Sequence, residues 1–281
     1  LEAAEPLFAE LVAKGGVKVA ESRKADAQAA RDRALWADTE ALSPEALAVA
    51  DAANAAADAA LAAGDAKAAI AAYRVAILAY DATEKRSTAL AVKATVDELE
   101  YGPMDSGNYE LAGQKLAAVD SALPTDGEAA RDAAEEALLR YRLVLSKGWE
   151  LTAGRRREAA ERYKLESEGI KAQVALKAEY SEAKAVWDAA VAASAAGNHE
   201  SAAPLFEQSE YMFEAVYQKA AEKRAAAEAA IQAAKDKNER SASVAQRGDE
   251  QLGVEPAAQA ESQATDEAAS ADGTSTAGEE E

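Results

Sequence analysis

The residues able to do acid–base, nucleophilic or metal chemistry are few in this chain, and their spacing matches no catalytic motif. His199 is the single histidine among 281 residues, and there is no cysteine. A zinc site needs several such ligands, and a hydrolytic triad needs a histidine held between a nucleophile and a carboxylate. The sequence therefore predicts a protein that is not an enzyme, with no catalytic residue, cofactor or metal, in which His199 is a solvated turn residue.

Carboxylates are abundant, but they alternate with Ala, Lys and Arg in stretches that have the pattern of helices. That distribution is typical of solvated helix faces. The sequence contains no glycine-rich phosphate loop, calcium loop or His-Glu-x-x-His motif. We therefore expect the function to depend on a binding surface.

One cluster of basic residues lies where the helix dipole disfavours positive charge. Arg155, Arg156 and Arg157 are predicted to open a helix, where each cation opposes the helix dipole by roughly 0.3–1 kcal/mol. In one interpretation the guanidinium groups and the free backbone N–H groups form an anion site. In the other, the arginines are a solvated cluster that pairs with Glu158, Glu161 or a neighbouring acidic helix.

Composition and charge restrict the fold and the partners. The chain is 49% hydrophobic but 5% aromatic, and alanine supplies most of the apolar share, which favours long helices packed closely over a thin core. No strand pattern is visible, so the predicted class is all-α. A net charge of −20 argues against nucleic acid and against an anionic membrane as the partner. No apolar stretch approaches the length of a membrane span, so direct insertion is not expected.

Part of the negative charge is local to the C-terminal end. Residues 241–281 contain ten acidic residues and one basic residue, and almost no large apolar side chain. Such a segment cannot bury enough apolar surface to offset its ordering entropy. We predict a helical-repeat domain over residues 1–240 and a disordered acidic tail over 241–281, without fixed structure from 243 onward.

Four glycines mark a repeated pattern along the rest of the chain. Gly64, Gly107, Gly154 and Gly197 are 43, 47 and 43 residues apart. Each is followed at a fixed distance by a small and then by a large residue, and these pairs are Ala69 and Tyr73, Ala112 and Leu116, Ala159 and Tyr163, and Ala202 and Phe206. A period of this length is the signature of stacked helical repeats, with a turn near each glycine. The four alanines are expected to be buried.

Start and stop signals place the helices between these turns. Ser43 and Pro44 begin a helix that ends at Gly64, and Asp65 caps the next one. Whether residues 66–100 form one helix or two is left open, before a break at Gly102. Further helices are expected over about 109–122, 128–152, 155–168, 171–195 and 200–238, the last being either a capping helix or a coiled-coil extension.

The N-terminal residues repeat part of the last unit. Residues 1–8 align with residues 199–206, so the chain is expected to begin at the second helix of a repeat, with a further helix over 18–41 after Gly15 and Gly16. Leu1 is then an interior position of a longer parent or a processed end.

The pattern Gly-Asp/Asn-x-x-x-Ala-x-x-x-aromatic resembles the turn and second helix of tetratricopeptide repeats, over roughly residues 1–215. The resemblance implies a right-handed superhelix of antiparallel helix pairs, which presents a groove to a protein or peptide segment. Placed on that family, Asn54, Asp58, Trp187 and Asp188 fall at positions that line the groove, although Trp187 could equally fill core space.

The lengthened, alanine-rich units are also similar to alanine-rich helical proteins of the bacterial cell envelope. The resemblance implies a binding or scaffold protein of the periplasm or envelope, with the cytoplasm as the alternative location and a monomer as the expected state. The alternative function is a structural rod or coiled-coil-like bundle that self-associates or spans a gap.

Overall fold

A computed structural model describes residues 4–253, with side chains from Lys14 onward. The described part is all-α and contains no strand. It divides into two compact units: the first comprises residues up to Arg162 together with Glu182–Tyr211, and the second comprises Tyr163–Ser181 and the residues from Met212 onward. The helices are α1 (Ala4–Trp36), α2 (Thr39–Leu42), α3 (Pro44–Ala62), α4 (Ala66–Glu98), α5 (Ser106–Ala122), α6 (Gly127–Gly169), α7 (Ala172–Ala175), α8 (Lys177–Ala195) and α9 (His199–Leu252), with a 3-10 turn at Gly102–Asp105.

The long helices α1, α4 and α6 end in the same local motif. A residue in the left-handed conformation follows each of them: Asp38 (φ 54°), Glu100 (φ 57°) and Lys171 (φ 60°). A single short turn of helix comes next, and then a helix of 17 to 19 residues. A left-handed residue costs least when it is glycine, and none of these three is. The motif therefore left no glycine signal in the sequence.

Three polar residues cap the long helices α4, α6 and α9. The Oδ1 atoms of Asp65, Asp126 and Asn198 accept hydrogen bonds from the backbone N–H three residues on, at 2.9, 3.0 and 3.2 Å. Counted from each cap, the residues at +4, +8, +11 and +15 are fully buried; they are Ala69, Tyr73, Ala76 and Tyr80, then Ala130, Ala134, Ala137 and Tyr141, then Ala202, Phe206, Ser209 and Phe213. The repeated unit of the structure is therefore a long helix followed by a shorter one, with caps 61 and 72 residues apart.

Three of the four turns predicted near the glycines are present, and one is not. Gly64 and Gly197 have φ of 81° and 78° and lie in the turns before α4 and α9. The turn predicted near Gly107 lies just before it, between Glu98 and Ser106, where the predicted break at Gly102 is confirmed. Gly154 lies inside the continuous helix α6. A turn at Gly154 is therefore wrong. A single glycine inside a helix costs about 1 kcal/mol, which the packing of the flanking turns of α6 outweighs.

The burial of the four repeat alanines was predicted correctly at three positions and wrongly at one. Ala69, Ala112 and Ala202 are fully buried, as predicted. Ala159 is partly exposed, and its neighbour Ala160 is buried instead. The repeat alignment is wrong at this third position because residues 155–168 continue a helix that began at Gly127.

Other helix limits are confirmed or corrected in the described residues. α3 begins at Pro44 after Ser43, although the Ser43 hydroxyl accepts hydrogen bonds from Arg86 and Ser87 and does not cap the helix. Residues 66–98 form one helix. α1 runs through the glycine pair at 15–16 without a break, so the expected helix start after this pair is wrong. Gly16 is a point of close approach between helices, because a Cβ there would lie 3.3 Å from the Cβ of Ala66.

The C-terminal boundary is also corrected. α9 continues to Leu252, so residues 243–252 are helical and not without structure. This stretch continues a helix that is already formed, so no new nucleation is needed, and Ala242, Ala245, Arg247 and Glu250 within it have high helix propensity. The rest of the predicted tail, residues 254–281, lies outside the described residues.

The first unit has a core built mostly from alanine. One cluster joins α1, α3, α4, α5 and α6; its members include Ala30, Ala50, Ala79, Val119 and Ala134. Tyr80 is the largest buried side chain of this cluster. Because an alanine side chain is a single methyl group, each one buries little apolar area, and the helices approach closely.

Hydrogen bonds supplement this thin core. Three tyrosine hydroxyls donate to aspartates on neighbouring elements: Tyr73 to Asp58 at 2.5 Å, Tyr80 to Asp51 at 2.6 Å and Tyr109 to Asp97 at 2.7 Å. Each of these aspartates also binds a cation, from Lys24, Arg31 and Lys93 respectively. The tyrosines can therefore bury their rings while the hydroxyl groups stay satisfied.

Candidate functional site

The first unit carries a groove of about 640 Å³ between α1, α4 and α6. We call it the cationic groove; its lining residues are Arg23 from α1, Lys67, Ile70, Ala71, Arg74, Ile77 and Leu78 from α4, and Glu128 and Arg131 from α6. Four cations and one carboxylate thus surround a floor of aliphatic side chains.

The α4 residues of the groove share one helix face. Lys67, Ile70, Arg74 and Ile77 recur at intervals of three or four residues, which places them in a single stripe. At 1.5 Å per residue the distance from Lys67 to Leu78, the last groove residue of α4, is about 16 Å, or three helical turns. α6 begins at the end of this stripe, where Gly127 approaches α4 so closely that a Cβ would lie 3.1 Å from the Cβ of Leu78.

The cations of the groove differ in their partners. Arg23 binds Asp26 at 3.2 Å and Arg131 binds Asp132 at 2.8 Å. Lys67 and Arg74 are exposed and form no ion pair with any residue in the described part of the chain. Two uncompensated positive charges therefore stand over the aliphatic floor of a protein whose net charge is −20.

The internal repeat shows that this charge is not a general property of the unit. The residues at the same distances from the next cap, Asp126, are Glu128, Arg131, Asp132, Glu135, Leu138 and Leu139. Three of these six are acidic and one is basic, and Glu135 pairs with Lys85 at 3.5 Å. The cationic groove is therefore specific to the position between α1, α4 and α6.

Trp187 and Asp188, which the sequence placed on a groove, differ in their environments. Trp187 is 8% exposed and packs edge to face against Phe206, with ring centroids 5.4 Å apart, so it is a core residue. Asp188 is exposed and pairs with Lys184 at 2.5 Å. Of the two interpretations of Trp187, the structure favours the core.

Asn54 and Asp58 lie one turn apart on α3 and are half-buried. Asp58 accepts hydrogen bonds from Lys24 and from Tyr73, and these bonds hold the pKa of its carboxyl group below the usual value. Burial together with the bond to Asp58 raises the pKa of Tyr73 to about 12. No hydrogen bond or ion pair in the described part joins either α3 residue to Trp187 or Asp188.

The three arginines at 155–157 lie in the middle of α6, so the expectation that they open a helix is wrong. Backbone N–H groups in a helix interior are already bonded, and the dipole conflict arises only at the ends. Arg156 pairs with Glu207 at 2.9 Å, as expected for a neighbouring acidic helix, and Arg155 approaches Met104 Sδ at 4.0 Å. Arg157 is exposed and has no partner among the described residues. A helix-terminus anion site is not formed.

His199 is the first residue of α9 and is half-buried. Its Nδ1 lies 3.5 Å from the Ser194 hydroxyl. No group of three or more His, Asp or Glu side chains in the described residues could hold a metal ion.

Sequence reasoning missed the cationic groove. The signal on α4 was present, because Lys67, Ile70, Arg74 and Ile77 form an alternating stripe that a helical projection reveals. Arg23 and Arg131 are distant in sequence, and only the packing of α1 and α6 on α4 brings them to the same groove.

Comparison of the chain with known protein families, with curated proteins and with solved structures found no match in any of the three. Of the helices described, none has the length and apolar character that crossing a membrane requires.

Proposed function

We propose that this protein is a non-enzymatic binding or scaffold module that holds a protein segment in its cationic groove. The observation that carries the proposal is the pairing of an accessible aliphatic floor with the uncompensated charges of Lys67 and Arg74. An apolar floor rimmed by unpaired polar groups is typical of a protein-interaction site.

The net charge of the chain restricts the class of partner. Nucleic acids and anionic membranes present extended arrays of negative charge, which a chain of net charge −20 repels at long range, so both are disfavoured. A short segment that carries only a few carboxylates is repelled much less, and the local charge of the groove then decides its binding. A protein segment can supply apolar side chains for the floor together with a local charge. The proposed setting is the bacterial cell envelope, and stacking of the repeats as a tetratricopeptide-like, right-handed superhelix belongs to the same proposal.

A photoreactive residue in place of Ala71, an exposed groove residue, tests the proposal in the native cells. We expect a crosslinked adduct with a discrete protein, because the partner must lie within a few ångströms of Ala71. The adduct should disappear in the Arg74→Glu variant and persist in Arg157→Glu, which changes the net charge equally at an exposed site on α6 outside the groove. The same photoreactive group at Ala189, an exposed residue of α8, is the control position. Equal adducts from Ala71 and Ala189, or none from Ala71, would contradict the proposal.

A second candidate function is a structural rod, and α9 favours it. After Ala220, the helix continues for 32 residues, about 48 Å, without a buried side chain. Alanine propensity and pairs one turn apart, such as Arg224 with Glu228 at 2.8 Å, support this segment without tertiary packing. Such a helix could span a gap or pair with a second copy.

Small-angle scattering across a concentration series distinguishes the two candidates. A monomeric binding module keeps a constant radius of gyration, whereas a self-associating rod grows with concentration. We expect a constant radius, because the net charge of −20 opposes contact between copies. A rise with concentration that disappears after truncation at residue 221 would favour the rod.

A further inference from the structure

The groove residues of α4 define the length of chain that can occupy the cationic groove. The stripe from Lys67 to Leu78 covers about 16 Å. An α-helical partner would place about 11 residues against it, which is three turns. An interaction of this length matches the mode in which an amphipathic helix lies in a groove.

The spacing of the floor fits a helix. Ile70 and Ile77 are seven residues apart, two turns along the same face, and Leu78 extends the floor next to Ile77. Side chains at this spacing leave gaps between them that receive the i, i+3, i+4 and i+7 residues of a second helix. The partner therefore presents an apolar stripe of aliphatic side chains.

The spacing of the charges fits the same partner. Lys67 and Arg74 are also seven residues apart, and both lack an ion-pair partner among the described residues. Arg23 and Arg131 also line the groove, but they already pair with Asp26 and Asp132, so Lys67 and Arg74 supply the charge that is free to attract a partner. A guanidinium group binds a carboxylate through two parallel hydrogen bonds, so carboxylates beside the apolar stripe would be bound strongly.

From these features we infer that the occupant of the cationic groove is an acidic amphipathic helix of about three turns in a partner protein. The inference rests on the proposed function and specifies its partner. A nucleic acid is a poorer fit, because the groove has no aromatic side chain on which a base could stack. A small inorganic anion would leave the aliphatic floor uncovered.

Binding of two synthetic peptides to the full chain tests the inference. Each peptide has about 14 residues with leucine at heptad spacing; one carries glutamate at the remaining positions and the other carries lysine. Fluorescence anisotropy should show binding of the glutamate peptide that weakens with salt, and at least tenfold weaker binding of the lysine peptide.

Matched variants locate the site. Arg74→Glu and Lys67→Glu should each weaken binding of the glutamate peptide by about tenfold or more, because each reverses a charge that has no ion-pair partner within the described part of the chain. Ile70→Ser should weaken it by a similar factor through loss of the floor. Arg157→Glu changes the net charge by the same amount and should leave the affinity within about twofold. Far-UV circular dichroism checks that each variant retains its helices.

The outcomes separate this inference from the proposed function. Equal affinity for the two peptides, no binding of the glutamate peptide, or equal losses in Arg157→Glu and Arg74→Glu would overturn the acidic partner. A protein adduct at Ala71 would in that case still support a binding groove. Tighter binding of phosphatidylglycerol vesicles or of single-stranded DNA than of the glutamate peptide, abolished by Arg74→Glu, would also overturn it. Absence of both peptide binding and an adduct would remove the proposed function as well.

Discussion

Replacing Gly148 by alanine will destabilise the first unit by about 2 kcal/mol, although alanine is the better helix former. Gly148 lies inside α6, where the ring of Tyr101 crosses the helix. A Cβ at this position would lie 2.0 Å from Cδ2 and 2.2 Å from Cγ of Tyr101. The ring has little room to move, because Tyr101 is 4% exposed and packs edge to face against Trp149 at 5.4 Å. Overpacking typically costs about 1–3 kcal/mol and here exceeds the gain of about 1 kcal/mol in helix propensity.

Gly154→Ala is the matched control, six residues further along the same helix. No atom lies within 4 Å of a Cβ built at Gly154, so only the helix propensity changes. This variant should gain up to about 1 kcal/mol. Urea unfolding followed by circular dichroism measures both variants. Two stabilised variants would show that Tyr101 does not pack on Gly148, and two destabilised ones would show that α6 is not continuous at residue 154.

The second large effect is expected at Asp51, which joins a fully buried tyrosine of α4 to a partly exposed arginine of α1. Its carboxylate accepts a hydrogen bond from Arg31 Nε at 2.8 Å and one from the Tyr80 hydroxyl at 2.6 Å. Asp51→Ala should cost about 3 kcal/mol, because Tyr80 is fully buried and its hydroxyl would lose the acceptor that it has among the described residues, while Arg31 loses its ion pair. Tyr80→Phe should cost only about 1 kcal/mol, because Asp51 keeps Arg31. Equal losses of unfolding free energy would contradict this asymmetry.

The same carboxylate should make stability depend on pH. The hydrogen bond from Arg31 lowers the pKa of Asp51, with a smaller contribution from Tyr80, against the opposing effect of burial. Because the folded pKa lies below the unfolded value of about 3.9, the stabilisation is present above about pH 4 and is lost as the pH falls through the folded pKa. The difference in unfolding free energy between the wild type and Asp51→Asn should therefore shrink between about pH 6 and pH 2. A constant difference would show that Asp51 is not held ionised by the fold.

The parts of the fold that could be predicted are those with a local chemical cause. Gly64 and Gly197 adopt positive φ, which glycine allows at little cost, and Asp65 caps α4 with its own side chain. Gly154 could not be distinguished from them, because in a chain this rich in alanine a small residue five positions later carries little information. The breaks near residues 100 and 170 were also predicted, from Gly102 and from the helix limits at 168 and 171. The left-handed residues that form them, Glu100 and Lys171, are not glycines, so their conformation could not be predicted.

The candidate site could also be predicted only in part. A net charge of −20 describes the chain as a whole and conceals the positive stripe on α4, where Lys67 and Arg74 alternate with Ile70 and Ile77. That half of the cationic groove follows from helical spacing alone. The other half depends on α1 and α6, which bring Arg23 and Arg131 to α4 from distant parts of the sequence.

The alanine core has a consequence for how stability varies with temperature. The heat capacity of unfolding rises with the apolar area that becomes hydrated, and a methyl side chain exposes little of it. Unfolding of the first unit should therefore have a heat capacity per residue below the usual 12–15 cal/mol/K or so. A small heat capacity flattens the curve of unfolding free energy against temperature. Packing alanines such as Ala30, Ala50, Ala79 and Ala134 between long helices thus gives a fold whose stability, even where it is modest, changes slowly on cooling and on heating.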